Sequence, residues 1–267
     1  MSAPDLRTGH AGLALIAGSG GLPAELVAAL PARPLVCALA GHPPRGLAVD
    51  LEVRLERLVP VLRHLAGQGI ERVALVGAVE RPRLDPALCD PETAALIPEL
   101  LAAMAGGDDG ALRWAMTLIE GYGMQVLGLA DLAPGLLAPE GVLTRAPTAA
   151  EAADAARGLA VLAALGPADV GQGCIVAGGL VLGVEALYGT DALLADVAAR
   201  RPSRHPQAGG VLVKRAKPGQ DRRADLPAIG PATVEGAVAA GLTGVCLQGG
   251  AVGGVGRAGP LGAARAG

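Results

Sequence analysis

Short, uninterrupted apolar runs alternate with helical patterns along the first half of the chain. Four runs share this character, and they cover residues 13–17, 35–39, 72–76 and 125–129. The helical patterns cover residues 58–66 and 111–121. Strands that are apolar on both faces are typical of parallel sheets covered by helices on each side. The alternation therefore predicts an α/β protein that begins with a Rossmann-like parallel-sheet domain.

A cluster of helix breakers interrupts this alternation near the middle of the chain. Three prolines and two glycines lie between residues 134 and 147. Clusters of this kind mark domain junctions, because neither helices nor strands continue through them. We therefore expect an N-terminal domain over residues 1–133, a linker over residues 134–148 and a smaller α/β C-terminal domain over residues 149–267.

The second half of the chain predicts shorter elements. An alanine-rich pattern over residues 150–165 indicates a helix, and Gly178-Gly179 favours a hairpin turn between two apolar runs. The apolar strands predicted in this half cover residues 174–176, 180–182, 211–213 and 244–247. The last two of these strands enclose a polar loop.

Composition excludes several classes of partner. Aromatic residues make up 1% of the 267 residues and Phe is absent, so the chain has no platform for stacking bases. A formal net charge of −3 gives no long-range attraction for polyanions, and we expect no nucleic-acid partner. The four Cys residues are scattered without a C-x-x-C spacing, which indicates reduced thiols. With no secretory signal and no sufficiently apolar span, we expect a cytoplasmic protein.

The first candidate site is the glycine turn after the first predicted strand. Ser19, Gly20 and Gly21 are small, so backbone N–H groups at the start of the following helix could approach an anion. A tight strand-to-helix turn that binds nothing is an equally good interpretation. Pro23 stands where a dinucleotide fingerprint has its third small residue, and no acid follows the second strand. These departures disfavour a nicotinamide-dependent oxidoreductase.

The second candidate site follows the third predicted strand, at the edge where open α/β sheets bind their ligands. It comprises Gly77, Ala78, Val79, Glu80 and Arg81. Arg81 could clamp a phosphate or a uracil edge. An isolated arginine after a strand is also often a solvated loop residue, and this alternative stays open.

The third candidate site precedes a predicted helix in the second half of the chain. Gly189, Thr190 and Asp191 suit a helix start, with Thr190 as an ordinary N-cap and Asp191 improving the helix dipole. The same helix N-terminus could instead present Thr190 and backbone amides to a ligand. Glu185 ends a predicted apolar strand, and a carboxylate there needs a partner if it is buried.

The segment over residues 214–230 carries the most chemical information. Five cations, two aspartates and two prolines lie between apolar strands. Pro218, Gly219 and Pro227 disfavour a continuous helix, so the sequence indicates a rigid loop. Loops held on a scaffold in this way commonly carry function.

The charges of this loop suit a phosphorylated ligand. Lys214, Lys217 and Arg222 are among the cations that would neutralise a diphosphate. Asp221 and Asp225 could hold Mg²⁺ or Mn²⁺, or orient a water molecule. The alternative is a solvated charge run with internal ion pairs.

Other polar groups have simpler interpretations. Asp108 and Asp109 precede a predicted helix and are expected to cap it. None of the four His residues has the spacing of a metal site or a catalytic triad, and no G-x-S-x-G motif occurs. Nucleophilic serine chemistry is therefore unsupported.

Taken in order, these motifs resemble the LpxI-type UDP-2,3-diacylglucosamine pyrophosphatases over about residues 13–247. The glycine turns are weak evidence by themselves. The pattern Lys-x-x-Lys-Pro-x-Gln-Asp-x-Arg-x-Asp-Leu-Pro-x-Ile-Gly over residues 214–230, which includes Gln220, is long and specific. A further matching motif covers residues 169–173 and contains Gln172.

The resemblance implies a two-domain enzyme that hydrolyses UDP-2,3-diacylglucosamine to UMP and 2,3-diacylglucosamine 1-phosphate in lipid A biosynthesis, with Mg²⁺ or Mn²⁺ required. It implies that Asp225 is essential and that Asp221 shares the metal. It also implies that the residues of the glycine turns, Gln172, Glu185, residues 189–191 and the polar residues of the loop contact the substrate. A homodimer and peripheral contact with the cytoplasmic face of the inner membrane are further expectations from the family.

The C-terminal end departs from the family pattern. Where the family continues from Glu-Ala-Gly into further strand and helix, this chain has Gln248, Gly249 and Gly250 and then a tail rich in Gly, Ala and Arg. Residues 248–267 are therefore an atypical end of the second domain. A non-catalytic nucleotide-sugar binding protein is the alternative function.

Overall fold

The computed structural model of the chain describes residues 11–79, 84–105, 107–205 and 207–254. The chain divides after Pro134 into two compact units. One short segment departs from this linear division, because Asp221–Asp225 belongs to the first unit while the residues on either side of it belong to the second.

The first unit is built on a five-stranded parallel sheet. Its strands are β1 (Leu13–Ala17), β2 (Leu35–Leu39), β3 (Leu51–Val53), β4 (Arg72–Val76) and β5 (Gln125–Leu127), in the order β3-β2-β1-β4-β5. Every residue of β1 is buried, as expected for the central strand of a sheet with both faces covered. This arrangement confirms the predicted α/β class and the Rossmann-like N-terminal sheet.

Helices follow most of these strands. They are α1 (Leu22–Ala29), α2 (Leu58–Gly67), α3 (Pro91–Ala105), α4 (Asp108–Gly121) and α5 (Leu129–Leu132). In α2 the buried Leu58, Leu62 and Leu65 recur at helical spacing, so one face of the helix packs into the main core cluster with β1, β2 and β4.

The second unit contains two sheets. Its strands are β6 (Gly173–Ala177), β7 (Leu180–Val184), β8 (Val211–Lys214), β9 (Ala228–Ile229), β10 (Gly244–Leu247) and β11 (Gly253–Gly254). Four of them form a mixed sheet in the order β10-β8-β6-β7, in which β10 and β8 are parallel and the other pairs antiparallel. The two short strands β9 and β11 pair in parallel with each other.

A buried aspartate fixes the hairpin between β6 and β7. Gly178 and Gly179 both have positive φ, of 57° and 75°, which suits the two central residues of a hairpin turn. Asp154 of α6 (Ala149–Leu165) accepts hydrogen bonds from both of their amides, at 3.0 and 2.7 Å. A carboxylate of the preceding helix therefore holds the predicted glycine turn.

The mixed sheet is covered on both faces. Helix α6 begins with a capping box between Thr148 and Glu151 and packs against Cys174, Val176 and Val213. The other face packs against α7 (Gly189–Arg204) and α8 (Pro231–Ala239).

None of the helices in the described part of the chain is long and apolar enough to cross a membrane.

The segment that follows β10 packs into the second unit as far as it is described. Ala251 and Val252 are fully buried. Ala138 and this segment exchange backbone hydrogen bonds, because the Ala138 amide donates to the Val252 carbonyl at 2.8 Å and the Gly250 amide donates to the Ala138 carbonyl at 2.9 Å. Residues 248–254 are therefore an integral part of this unit.

Candidate active site

The two predicted glycine turns of the first unit lie side by side at the carboxyl edge of the sheet. The Ser19 amide donates to the Ala78 carbonyl at 2.8 Å, and the Ala78 amide donates to the Ser19 carbonyl at 2.9 Å. A Cβ on Gly18 would lie 2.5 Å from the Ala78 oxygen, and one on Gly77 would lie 2.7 Å from the Gly18 carbonyl. Close backbone approach is thus one physical reason for glycine in both turns.

The remaining residues of the first turn lead directly into α1. Gly20 has a φ of +99°, and its carbonyl accepts from the Arg45 amide at 2.9 Å. Gly21 is the N-cap residue of α1, and it has no side chain with which to cap the helix. This geometry suits both a tight connection and the approach of an anion to the helix start.

A cavity of about 300 Å³ opens at the same edge of the sheet. Its described lining comes from the carboxyl ends of β2 and β3 with the residues after them, and from the segment after β4, namely residues 39–42, residues 53–56, Val79 and Leu84. Val79 is exposed. Glu80 and Arg81 lie outside the described residues.

The segment Asp221–Asp225 forms a compact turn in the first unit. The Asp225 and Ala224 amides both donate to the Asp221 carbonyl, at 3.1 and 3.3 Å. Ala224 packs against the main core cluster. Asp225 itself is half-buried, and Arg222, which lies between Asp221 and Asp225 in the sequence, is exposed. The turn therefore holds the predicted essential carboxylate on a packed backbone.

Arg223 organises this turn through three carboxylate contacts. Its Nε and Nη2 donate to the two oxygens of Asp221 at 3.0 and 2.8 Å, and its Nη1 donates to Glu120 of α4 at 2.6 Å. These bonds from Arg223 lower the pKa of the Asp221 carboxyl, and the two acids raise the pKa of the guanidinium. Asp221 is therefore held in its ionised form.

Asp109 also contacts the turn, which the sequence did not indicate. Gly107 is the N-cap residue of α4. The Asp109 carboxylate accepts from the Arg113 Nε at 2.6 Å and from the Asp221 amide at 3.4 Å. The spacing of Asp109 and Arg113 predicts an ion pair on one helix. Neither the Asp221 contact nor the Glu120–Arg223 pair has a local signal, because each joins residues more than 100 positions apart.

The contacts of Asp221 bear on whether it could hold a divalent cation. Both oxygens of Asp221 are engaged by Arg223, so Asp221 fits the metal poorly in this arrangement. Among the described residues, no group of three or more His, Cys, Asp or Glu side chains could hold a metal ion. Mg²⁺ is commonly held by one or two carboxylates together with substrate phosphates. The half-buried Asp225 suits that mode.

In the second unit, Lys214, Thr190 and Glu185 form one hydrogen-bonded network. The Lys214 ammonium donates to Thr190 Oγ1 at 2.5 Å, and that hydroxyl donates to Glu185 Oε2 at 2.8 Å. Lys214 also lies 3.6 Å from Glu185 and 3.3 Å from the Ala228 carbonyl. Glu185 thus has the partner that a largely buried carboxylate requires.

This network changes the interpretation of the start of helix α7. The N-cap residue of α7 is Tyr188, so Thr190 lies inside the first turn and is not the cap. Gly189 begins the helix with a φ of +79°, and Asp191 is an acidic residue in the first turn. The expectation that Thr190 serves as an ordinary N-cap is therefore wrong, because its hydroxyl bonds to side chains instead.

A second group of predicted site residues includes the start of the loop over residues 214–230. Lys217 forms an ion pair with Asp169, and the Lys217 amide donates to the side-chain oxygen of Gln220 at 2.9 Å. The Gln172 carbonyl accepts from the Arg215 amide at 3.0 Å. Lys217 and Gln220 thus contact each other, Gln172 contacts the neighbouring Arg215, and an acid already neutralises part of the Lys217 charge.

Comparison with known proteins gives a consistent result along the chain. Residues 12–136 match the model of the LpxI N-terminal domain, and residues 139–265 match that of the LpxI C-terminal domain. A relative from Caulobacter vibrioides named UDP-2,3-diacylglucosamine pyrophosphatase LpxI is 34% identical over 247 residues, which cover 89% of this chain and 88% of the relative. The chain therefore belongs to the LpxI family.

Proposed function

We propose that this protein hydrolyses the diphosphate of UDP-2,3-diacylglucosamine, giving UMP and 2,3-diacylglucosamine 1-phosphate for lipid A biosynthesis. The observation that carries the proposal is the 34% identity, over nearly the whole of both chains, to a relative named for action on that substrate. The loop geometry supports it, because a half-buried carboxylate and several cations lie within one short segment.

Asp225 is the residue that we propose for the reacting centre. Its carboxylate lies on a turn whose backbone is closed by hydrogen bonds to Asp221, so its position is restrained before substrate binds. Restraint of this kind lowers the cost of orienting an attacking water molecule. Asp221 would act indirectly, because its carboxylate holds the guanidinium of Arg223.

The proposal includes a requirement for Mg²⁺ or Mn²⁺. Asp225 would supply a carboxylate ligand, and the substrate diphosphate would supply further oxygens. When bound, such an ion spreads the negative charge of the phosphoryl oxygens. The exposed Arg222 would contribute a second positive charge toward the same phosphates.

The direct test is incubation of the purified protein with UDP-2,3-diacylglucosamine and measurement of UMP. We expect UMP to form with added Mg²⁺ or Mn²⁺ and its formation to stop with EDTA. Binding of the substrate without UMP formation would instead support the non-catalytic nucleotide-sugar binding protein. Turnover that is unaffected by EDTA would remove the metal from the proposal.

We also propose peripheral contact with the cytoplasmic face of the inner membrane. Leu187 and Tyr188 follow β7 and are 84% and 85% exposed, which suits contact with acyl chains or a lipid surface. Co-sedimentation with lipid vesicles, lost in the double variant Leu187→Ser with Tyr188→Ser, is the expected result. Equal sedimentation of both proteins would contradict it.

A homodimer is the remaining proposal from the family. Strand β7 is an edge strand in the described sheet, and its Leu180 and Val181 are exposed. An apolar edge strand without charges is unusual on a monomer. Light scattering should give twice the mass of the chain, and a monomeric mass would contradict the proposal.

A further inference from the structure

The side chain of Lys214 spans the two ends of the loop that carries Asp221 and Asp225. Lys214 is the last residue of β8, and Ala228 is the first residue of β9. The Lys214 ammonium lies 3.3 Å from the Ala228 carbonyl. The residues between them, 215–227, are therefore closed at their base by one side chain.

The Lys214 ammonium makes two hydrogen bonds and one ion pair within the protein. A lysine ammonium has three N–H donors. Thr190 Oγ1 at 2.5 Å, Glu185 Oε2 at 3.6 Å and the Ala228 carbonyl at 3.3 Å provide three neighbouring oxygens. The side chain is only 6% exposed. A lysine placed in this way is poorly suited to reach a substrate phosphate.

Backbone contacts hold the chain on both sides of the same closure. The Gln248 amide donates to the Lys214 carbonyl at 3.0 Å, and the Gln248 side chain accepts from the Ala216 amide at 3.1 Å. At the far end, the Gly253 amide donates to the Pro227 carbonyl at 2.8 Å. Both ends of the loop are thus fixed within the second unit.

We propose that Lys214, Thr190 and Glu185 are positioning residues that close the base of this loop, and that they do not bind the substrate. This inference rests on the proposed function. Asp225 is separated from Ala228 only by Leu226 and Pro227, and the fixed φ of a proline limits how the chain can turn between them. The closure therefore restrains one of the two chain ends that lead into the turn Asp221–Asp225, which itself packs in the first unit.

The first test uses variants of Thr190, because its hydroxyl can be removed with little change in volume. Thr190→Val loses both side-chain hydrogen bonds, whereas Thr190→Ser keeps the hydroxyl. For hydrolysis of UDP-2,3-diacylglucosamine by the full-length protein, we expect Thr190→Val to lower kcat roughly tenfold and to change KM by less than about twofold. Thr190→Ser should recover most of the lost kcat.

The second test follows the loop itself. Trypsin cleaves after Arg215, Arg222 and Arg223, all of which lie in the loop, but not after Lys217, because Pro218 follows it. In Thr190→Val and in Lys214→Met we expect faster cleavage at these sites, with cleavage elsewhere unchanged. Should Lys214→Met fail to fold, Thr190→Val still decides the question.

Several outcomes would overturn the inference. A raised KM with an unchanged kcat, together with weaker binding of UMP, would show that these residues bind the substrate directly. Unchanged kinetics and unchanged tryptic cleavage in Thr190→Val would show that the network positions nothing. If the wild-type protein makes no UMP at all, the proposed function fails, and the loop closure is then judged by tryptic cleavage alone.

Discussion

At the scale of single residues, close backbone contact explains the glycines at the carboxyl edge of the first sheet. Gly77 has a φ of +110°, and an added Cβ would meet the Gly18 backbone at 2.7 Å. Neither the conformation nor the contact tolerates an L side chain without movement of the backbone.

We predict that Gly77→Ala lowers the free energy of unfolding by roughly 1–3 kcal/mol. Gly67→Ala is the matched control, because Gly67 ends α2 with open space where the Cβ would be. The control should be neutral or slightly stabilising, since alanine favours helix. Urea denaturation of both variants measures the difference, and equal losses would contradict the steric explanation.

The ion pair of Asp221 with Arg223 predicts a dependence of stability on pH. The pKa of the folded carboxyl lies below its ordinary value of 3.8, mainly because of the bonds from Arg223. For a depressed carboxyl pKa, the stabilisation is present above the unfolded pKa and is lost as pH falls through the folded pKa.

We therefore expect wild-type protein to be more stable than Asp221→Asn at pH 7, by at most about 1 kcal/mol for a partly exposed pair. This difference in unfolding free energy should shrink as the pH falls below the ordinary aspartate pKa and toward the lower pKa of the folded carboxyl. Chemical denaturation of both proteins across that range measures it. A difference that stays constant down to acid pH would show that the charge of Asp221 contributes nothing.

At the scale of secondary-structure elements, Asp154 links helix α6 to the hairpin of the second sheet. Replacing this buried carboxylate by alanine leaves the amides of Gly178 and Gly179 without their acceptor. We predict that Asp154→Ala costs roughly 1–3 kcal/mol of stability.

The matched control for that substitution is Asp196→Ala. Asp196 lies on α7 with its side chain 67% exposed, and its contacts with Arg200 are long, at 3.3 and 3.4 Å. Its loss should change stability by less than about 0.5 kcal/mol. Thermal or urea unfolding distinguishes the two, and similar effects would mean that the hairpin does not depend on Asp154.

The sequence predicts the longer elements better than the short ones. Apolar runs locate β1, β2, β4 and the strands of the mixed sheet, because burial on both faces leaves a visible pattern. Helix α3 is hidden by Pro98 within it. Strands β9 and β11 have two residues each, so they depend on pairing that no local pattern records.

The same limit applies to the candidate site. The charges of the loop over residues 214–230 are visible in the sequence, but their partners are not. Arg223 pairs with Glu120 and Lys217 pairs with Asp169, and each partner is distant along the chain. The sequence therefore indicates a charged, functional loop, whereas only the structure shows which cations are already paired with acids.

At the scale of the whole molecule, the loop is the one place where the described chain leaves its unit and returns. Residues 221–225 belong to the first unit, although the strands on either side of the loop belong to the second. A division of the sequence into consecutive domains separates these residues from the unit with which they pack. Experiments that test the function therefore need the full chain.

The most direct measurement for the proposed function is UMP formation from UDP-2,3-diacylglucosamine by wild-type protein and by Asp225→Asn. Asparagine keeps the shape of the side chain and removes its charge. We predict metal-dependent UMP formation by the wild type and a loss of at least about a hundredfold in the variant, with the melting temperature nearly unchanged. Activity of the variant within about tenfold of the wild type, or no UMP from the wild type, would contradict this account.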